Sequence, residues 1–182
     1  MRLADLQYDL PAELIAQHPA EPRDASRLLV LDRSTGRVEH RGFRDIGDYL
    51  APGDALALND TRVIPARFFG RRETGRRIEG LFVHVDDDGW RVLLRSSGRL
   101  KVGERLVLDG TNVKLALVVR GYRGEWLAQP EPRVEPFGLL AQIGRTPLPP
   151  YIHRDVGGPG DAEPADVDRY QTVYACRPGA VA

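Results

Sequence analysis

The feature that most constrains the fold is a run of short β-strands between residues 67 and 129. Apolar and polar residues alternate there over short stretches, turn residues separate the stretches, and no stretch has a helical period. The Asp88-Gly89 pair favours a tight hairpin, because glycine readily adopts the positive φ that such turns need. Five or six short strands predict a small closed barrel or a sandwich, since closure removes exposed sheet edges.

The segments on either side of this β module have mixed α and β character. Residues 26–33 and 38–43 flank the turn STGR and predict a hairpin. Residues 54–59 contain four consecutive apolar residues and predict a strand that is covered on both faces. After the module, the sequence FGLLAQIG has a helical pattern that ends at Gly144. We therefore predict a mixed α+β chain in which a β module lies between two pieces of another structure.

Composition excludes several classes of protein. The 26 basic and 26 acidic residues give no net charge, so any contact with a nucleic acid must be local. No apolar run approaches the roughly 18 residues of a membrane helix, and the N-terminus lacks the apolar core of a secretory signal. We expect a cytoplasmic protein, and a monomer. The single cysteine and four scattered histidines predict neither an internal disulfide nor a metal site.

One local patch is strongly basic. Six arginines fall between residues 62 and 77, interrupted by one acid, Glu73. Taken alone, the patch is typical of a solvated, arginine-rich strand and turn; RNA binding is the alternative. The arginines are Arg62, Arg67, Arg71, Arg72, Arg76 and Arg77.

Three polar clusters remain, because the common hydrolase and nucleotide-binding motifs are missing. The first, residues 59–67, follows the apolar run at the place where ligands bind in α/β sheets, although an ordinary turn is the alternative. The second, residues 145–151, joins Arg145 to Tyr151 through a proline-rich spacer and could equally be a linker. The third is residues 169–174. Its tyrosines could stack on bases, but residues 170, 173 and 174 also have the spacing of a core-facing helix, an interpretation we prefer for Tyr174.

These clusters belong to motifs that resemble a known family. The motifs YDLPAELIAQHPAEPRDASRLLVLD, LNDTRVIPARFFGRR, GRTPLPPYIHR and RYQTVYACRPGAVA follow one another in the order found in the S-adenosylmethionine:tRNA ribosyltransferase-isomerase family. The resemblance covers the whole chain, more loosely between residues 80 and 135. It implies a discontinuous α/β domain, residues 1–66 and 135–182, with a small β-barrel of residues 67–134 inserted in it.

The resemblance also implies a reaction. The ribosyl group of S-adenosylmethionine is transferred to the aminomethyl-deazaguanine base at the wobble position of tRNA and isomerised, which gives epoxyqueuosine and releases adenine and methionine. The partners would be the tRNA anticodon loop and S-adenosylmethionine as co-substrate, without a metal. A non-catalytic, RNA-binding β-barrel module is the main alternative, and a purely structural scaffold is a third.

Residue roles follow from chemical type and from position in these motifs. Asp60 is the candidate base or cation stabiliser, since a carboxylate near a sulfonium is favourable, and Tyr170 is the candidate proton relay or stacking group. We expect tRNA-phosphate contacts from Arg62, Arg67, Arg71 and Arg72, with Arg145 as a second possibility. The other predicted substrate-binding residues are Asn59, Thr61, Arg62, Arg145, Tyr151, Gln171 and Thr172.

The sequence departs from the family pattern in two places. The family continues beyond GAVA into the segment APTAGLHF and much of the catalytic domain, so we expect this chain to represent about half of an enzyme and to be inactive alone. Gly80 stands where the family usually has an aliphatic residue. Glycine within a strand predicts a bulge at this position.

Overall fold

The computed structural model describes residues 2–154 and 164–180. The chain forms two compact units. The first contains Met1–Leu58 and Pro150–His153, and the second contains Asn59–Pro149 and Arg154–Ala182. Among the described residues, no helix is long and apolar enough to cross a membrane.

The first unit is built around the predicted hairpin. Strands β1 (Arg27–Leu31) and β2 (Val38–Gly42) pair antiparallel, from Arg27 opposite Gly42 to Leu31 opposite Val38, which confirms that prediction. A 3-10 helix follows at Phe43–Tyr49, and further 3-10 turns precede the hairpin at Leu3–Leu6, Ala12–Leu14 and Arg23–Ala25.

The turn between β1 and β2 is held by Asp32. Its carboxylate accepts hydrogen bonds from the Ser34 hydroxyl (2.6 Å), the Ser34 N–H (2.8 Å) and the Thr35 N–H (3.3 Å). The Ser34 hydroxyl first, and then the Thr35 side chain and the two N–H groups, lower the pKa of Asp32 from its usual 3.8 to about 2. The ionised side chain therefore stabilises this turn.

This pKa predicts a specific pH dependence. Because the pKa of Asp32 is lower in the folded than in the unfolded chain, its stabilising effect is complete above about 3.8 and is lost as the pH falls towards 2. The titration of the Asp32 carboxyl, followed by NMR, should have its midpoint near 2, and Ser34→Ala should raise it. A midpoint near 3.8 in the unsubstituted chain would contradict the prediction.

The apolar run 54–59 is not a strand, so this prediction is wrong. Leu56 and Leu58 are 63% and 51% exposed. A strand needs a hydrogen-bonding neighbour, and the described residues provide none beside this run. Regular pairing begins only at β3 (Thr61–Val63), which lies parallel to the last strand, β10 (Arg177–Ala180).

The second unit contains the predicted β module, which is a closed, six-stranded antiparallel barrel. The order of its strands is β4-β5-β6-β9-β8-β7, and the pairing of β7 with β4 closes the barrel. The strands are β4 (Arg67–Arg72), β5 (Arg77–Asp86), β6 (Gly89–Ser96), β7 (Arg105–Leu108), β8 (Lys114–Arg120) and β9 (Glu125–Glu131). The insertion of this barrel into a discontinuous α/β domain stays a prediction.

Alternate side chains of each strand fill the barrel, as the period of two requires. Phe82 and Trp90 meet edge to face inside it, with ring centroids 5.4 Å apart and planes at 82°. Further buried side chains come from every strand, among them Phe68, Ile78, Val92, Leu106, Leu108, Leu115, Leu117 and Ala128.

Gly80 does not form the predicted bulge. It pairs regularly with Phe68 on β4 and Leu94 on β6, and the irregularity in β5 falls between Phe82 and His84. A Cβ atom at Gly80 would overlap the Phe68 ring, which is fully buried. The glycine therefore makes room for a core aromatic ring on the neighbouring strand.

The predicted helix after the barrel is α1 (Pro136–Ile143), which confirms the helical pattern. The Glu135 carboxylate caps it by accepting hydrogen bonds from the Phe137 and Gly138 N–H groups. The helix buries Leu139 and Leu140 and ends at Gly144. A second, shorter helix, α2 (Pro164–Arg169), precedes the third polar cluster.

Candidate functional site

The first and third polar clusters meet where β3 and β10 run side by side. The Asp60 carbonyl oxygen accepts hydrogen bonds from the N–H groups of Cys176 (2.8 Å) and Arg177 (3.2 Å). Thr61 lies opposite Arg177 in the parallel pair. Residues more than a hundred positions apart in the sequence thus form one junction.

The Asp60 side chain is an accessible carboxylate at this junction. Its Oδ2 lies 3.4 Å from Nε of Arg177 and 3.9 Å from Sγ of Cys176. The Asp60 side chain is 48% exposed and that of Arg177 is 81% exposed, so solvent screens the pair and little free energy holds it together. The carboxylate can therefore exchange Arg177 for a cationic ligand at small cost.

Three predicted substrate-binding residues maintain the shape of the junction. The Asn59 side-chain oxygen accepts from the Thr61 N–H (2.9 Å), and the Thr172 hydroxyl donates to the Asn59 carbonyl (2.6 Å). The Gln171 amide accepts from the Val63 N–H (2.8 Å) and donates to the Val63 carbonyl (2.9 Å). Through these bonds, Asn59, Gln171 and Thr172 position the backbone on either side of Asp60.

Tyr170 directly follows α2 and is partly buried, with its N–H donating to the Asp166 carbonyl (3.1 Å). Val173 and Tyr174, in contrast, are 71% and 52% exposed. The preferred assignment of Tyr174 to the core is therefore wrong. The reason is that α2 ends at Arg169, so the helical spacing of residues 170, 173 and 174 creates no common face.

An ion pair fixes α2 ahead of Tyr170. Arg154 donates from Nε and Nη2 to the two carboxylate oxygens of Asp166, at 3.0 and 2.8 Å. The two side chains are only 8% and 14% exposed, and the paired geometry fixes both guanidinium and carboxylate planes. This pair limits where α2 can place the residues that follow it.

The second polar cluster is divided between the two compact units. Arg145 exchanges both backbone hydrogen bonds with Arg67 (2.7 and 3.1 Å), the last residue of the first cluster. Its Nε is buried, without a hydrogen-bond partner among the described residues. Tyr151 belongs to the first unit, where its carbonyl accepts from Gln17 (3.0 Å) and its side chain is exposed.

Three of the arginines predicted to contact tRNA have acidic partners. Arg67 pairs with Glu79 (2.7 Å), Arg71 pairs with Asp109 (3.5 Å), and Arg72 pairs with Glu104. The Arg71 side chain is 55% exposed, compared with 22% for Arg67 and 12% for Arg72. Arg62, on β3, is exposed. Arg71 is therefore the most accessible of the three paired arginines.

Two neighbours of Asp60 were missed from the sequence. Cys176 and Arg177 were not given a role, although both lie in the motif RYQTVYACRPGAVA. The parallel pairing of β3 and β10 brings them to Asp60. The sequence offered one indication of a role for Arg177, because the motif that contains Tyr170 and Gln171 also contains this arginine. Among the described residues, no group of three or more histidine, cysteine, aspartate or glutamate side chains could hold a metal ion.

Comparison with known proteins identifies the family. The family model described as "Queuosine biosynthesis protein" matches residues 3–182. The chain belongs to this family.

Several relatives carry a more specific name. The chain is 47% identical over 183 residues to the S-adenosylmethionine:tRNA ribosyltransferase-isomerase of Syntrophomonas wolfei, covering all of this chain and 50% of that protein. The enzyme of the same name from Thermotoga petrophila is 45% identical, with 100% and 51% covered. The crystal structure of S-adenosylmethionine tRNA ribosyltransferase from Thermotoga maritima is 42% identical with a TM-score of 0.37, covering 75% of this chain and 47% of that one. The chain thus spans about half the length of the curated relatives it matches.

Proposed function

We propose that this chain supplies part of the active site of an enzyme that transfers and isomerises the ribosyl group of S-adenosylmethionine onto the aminomethyl-deazaguanine base of tRNA. The product would be epoxyqueuosine, with adenine and methionine released. The observation that carries this proposal is the junction of β3 and β10, where two motifs of the family meet at the accessible carboxylate of Asp60. The names of the relatives support it.

The proposed chemistry needs a base, a proton donor and a place for a cation. A base must remove a proton next to the sulfonium or from the attacking ammonium, and a donor must protonate the departing adenine. Asp60 can receive a cation, because its present partner, Arg177, is a solvent-exposed side chain. We propose Asp60 as base or sulfonium stabiliser and Tyr170 as proton relay or stacking group.

The remaining residues predicted from the sequence are proposed to complete the substrate site. Asn59, Gln171 and Thr172 act by positioning the junction, as their hydrogen bonds indicate. Thr61 and Arg62 extend along β3, and Arg145 contributes a guanidinium whose Nε has no partner among the described residues. Tyr151 is proposed as a further substrate contact.

The tRNA would contact the barrel as well as the substrate site. Arg67, Arg71 and Arg72 are proposed to face tRNA phosphates, and the exposure of Arg71 makes it the most suitable of them. In the alternative function, a non-catalytic module, the closed barrel would bind RNA without any reaction. Because this chain contains a complete barrel, RNA binding without catalysis is a second candidate function.

Substitutions at Asp60 and Tyr170 test the proposal. In a full-length enzyme that contains this chain, Asp60→Asn and Tyr170→Phe should each reduce adenine release from S-adenosylmethionine by at least about 100-fold, the usual scale of general acid–base catalysis. The measurement is adenine release at saturating S-adenosylmethionine and tRNA that carries the aminomethyl base.

Matched controls are available within the chain. Asp87→Asn changes an exposed carboxylate, and Tyr122→Phe changes a phenol that is 84% exposed; neither should alter the rate. Near-normal adenine release by Asp60→Asn would remove Asp60 from the chemistry, and the same holds for Tyr170→Phe. The 182-residue chain alone should bind tRNA but release no adenine; turnover by it would show that the chain is sufficient.

A further inference from the structure

An open groove of about 580 Å³ lies on the outside of the barrel, across β4, β5 and β6. Its volume falls in the range of roughly 300 to 1,000 Å³ that is usual for ligand sites. The side chains that matter for binding are one aromatic ring, three guanidinium groups and two hydroxyl groups. They belong to Phe69, Arg76, Arg77, Arg95, Ser96 and Ser97.

The register of the barrel brings these side chains together. Phe69 lies opposite Glu79, and Glu79 lies opposite Arg95, so the three form one row across the strands. Such a row spans two strand spacings, roughly 10 Å. Arg77 is two residues from Glu79 on the same strand face, and Arg76 ends the turn that leads into β5. Arg95 therefore lies at one end of the row, and Arg77 lies near the Phe69 ring at the other.

The groove has an excess of positive charge that no acidic side chain balances among the residues that the structure describes. Within residues 2–154 and 164–180, Arg76, Arg77 and Arg95 form no ion pair with an acidic side chain. The one acid that lines the groove, Glu79, is already bound by Arg67 at 2.7 Å. Three exposed guanidinium groups thus line one open groove, and their like charges favour the binding of an anion there.

The Phe69 ring indicates which kind of anion the groove would bind. Phe69 is partly exposed, with Arg67 and Arg77 near its ring at 5.0 and 5.9 Å from the centroid. A phosphate bound by Arg77 would place an attached nucleoside close to this ring. Arginine recognises phosphate oxygens through paired hydrogen bonds, and aromatic rings stack on unpaired bases.

We propose that this groove binds the phosphodiester backbone of tRNA, with Arg76, Arg77 and Arg95 contacting phosphates and Phe69 contacting a base or ribose. The assignment rests on the proposed function for the identity of the RNA. It differs from the predicted contacts of Arg67, Arg71 and Arg72, because those arginines have acidic partners and the groove arginines have none among the described residues.

The test is the salt dependence of tRNA binding by the 182-residue chain. Affinity for a tRNA transcript is measured by fluorescence anisotropy between roughly 50 and 200 mM salt. Replacing Arg77→Gln together with Arg95→Gln should lower the slope of log Kd against log salt by about 1.5, since each lost phosphate contact removes about 0.7 to 0.9. Arg77→Lys with Arg95→Lys keeps the charge and should retain the slope.

The control pair is Arg120→Gln with Arg123→Gln, which removes two arginines at the β8–β9 connection and should leave the slope unchanged. Three results would overturn the assignment. The slope could fall equally for the control pair, it could stay unchanged for the groove pair, or the unsubstituted chain could fail to bind tRNA. Equally strong competition by poly-glutamate and tRNA would also overturn it. Adenine release by the full-length enzyme is measured separately. If the enzyme releases no adenine, the proposed function is rejected; if the groove substitutions leave the salt slope unchanged, tRNA binding in the groove is rejected.

Discussion

Replacing Gly80 by valine should destabilise the barrel by about 3 kcal/mol, at the upper end of the usual cost of overpacking. The added Cβ would overlap ring atoms of Phe68, which is fully buried, so the ring or the strands around it must shift. Unfolding by urea, followed by tryptophan fluorescence, measures this effect. The chain has two tryptophans, Trp90 and Trp126, and both are buried in the barrel, so the signal reports this structure.

A second substitution shows whether the overlap is the cause. Phe68→Leu removes the ring and should destabilise the chain by itself. The double variant Gly80→Val with Phe68→Leu should lose less stability than the two single variants lose together, by about 1 to 3 kcal/mol. Gly47→Ala, at a position with free space around it, should change little. Additive effects at Gly80 and Phe68 would contradict the explanation.

Arg72→Ala should cost about 1 to 3 kcal/mol, the usual cost of leaving a poorly solvated polar group without its partner. The Arg72 and Glu104 side chains are 12% and 16% exposed, and Arg72 also donates to the carbonyl groups of Ser97 and Arg99, both at 3.3 Å. Its loss leaves the Glu104 carboxylate poorly solvated. Arg71→Ala, which removes a longer and more exposed pair, should cost less than about 1 kcal/mol.

The two arginines also separate stability from tRNA binding. Urea unfolding of Arg72→Ala, Glu104→Ala and the double variant gives the coupling free energy of the pair. The double variant should lose less free energy of unfolding than the two single variants lose together. If Arg72→Ala leaves stability unchanged and lowers the salt slope of tRNA binding instead, Arg72 is a phosphate contact and not a structural residue.

The elements that local patterns specify were predicted correctly. Alternation of apolar and polar residues with frequent turns predicted the barrel strands, and the helical period of FGLLAQIG predicted α1. The apolar run 54–59 shows the limit of such patterns. A strand forms only where a second segment lies beside it and pairs with it through hydrogen bonds. The sequence of one segment does not show whether such a neighbour is present.

The candidate site was predicted in part. Asp60 and Gln171 were identified as members of polar motifs, but the partner of Asp60 was not. Arg177 reaches Asp60 only because β10 lies parallel to β3, a long-range pairing with no local signal. Likewise, Gln171 contacts Val63 from a distance of 108 positions in the sequence.

The sequence by itself determined the barrel, the hairpin before it and the concentration of arginines near β4 and β5. The tertiary structure decided what each arginine does. Cross-strand register places Glu79 beside Arg67 and Glu104 beside Arg72, and leaves Arg76, Arg77 and Arg95 around a groove. The physical reason is that charge interactions act over a few ångströms in space, whereas the sequence records only distance along the chain.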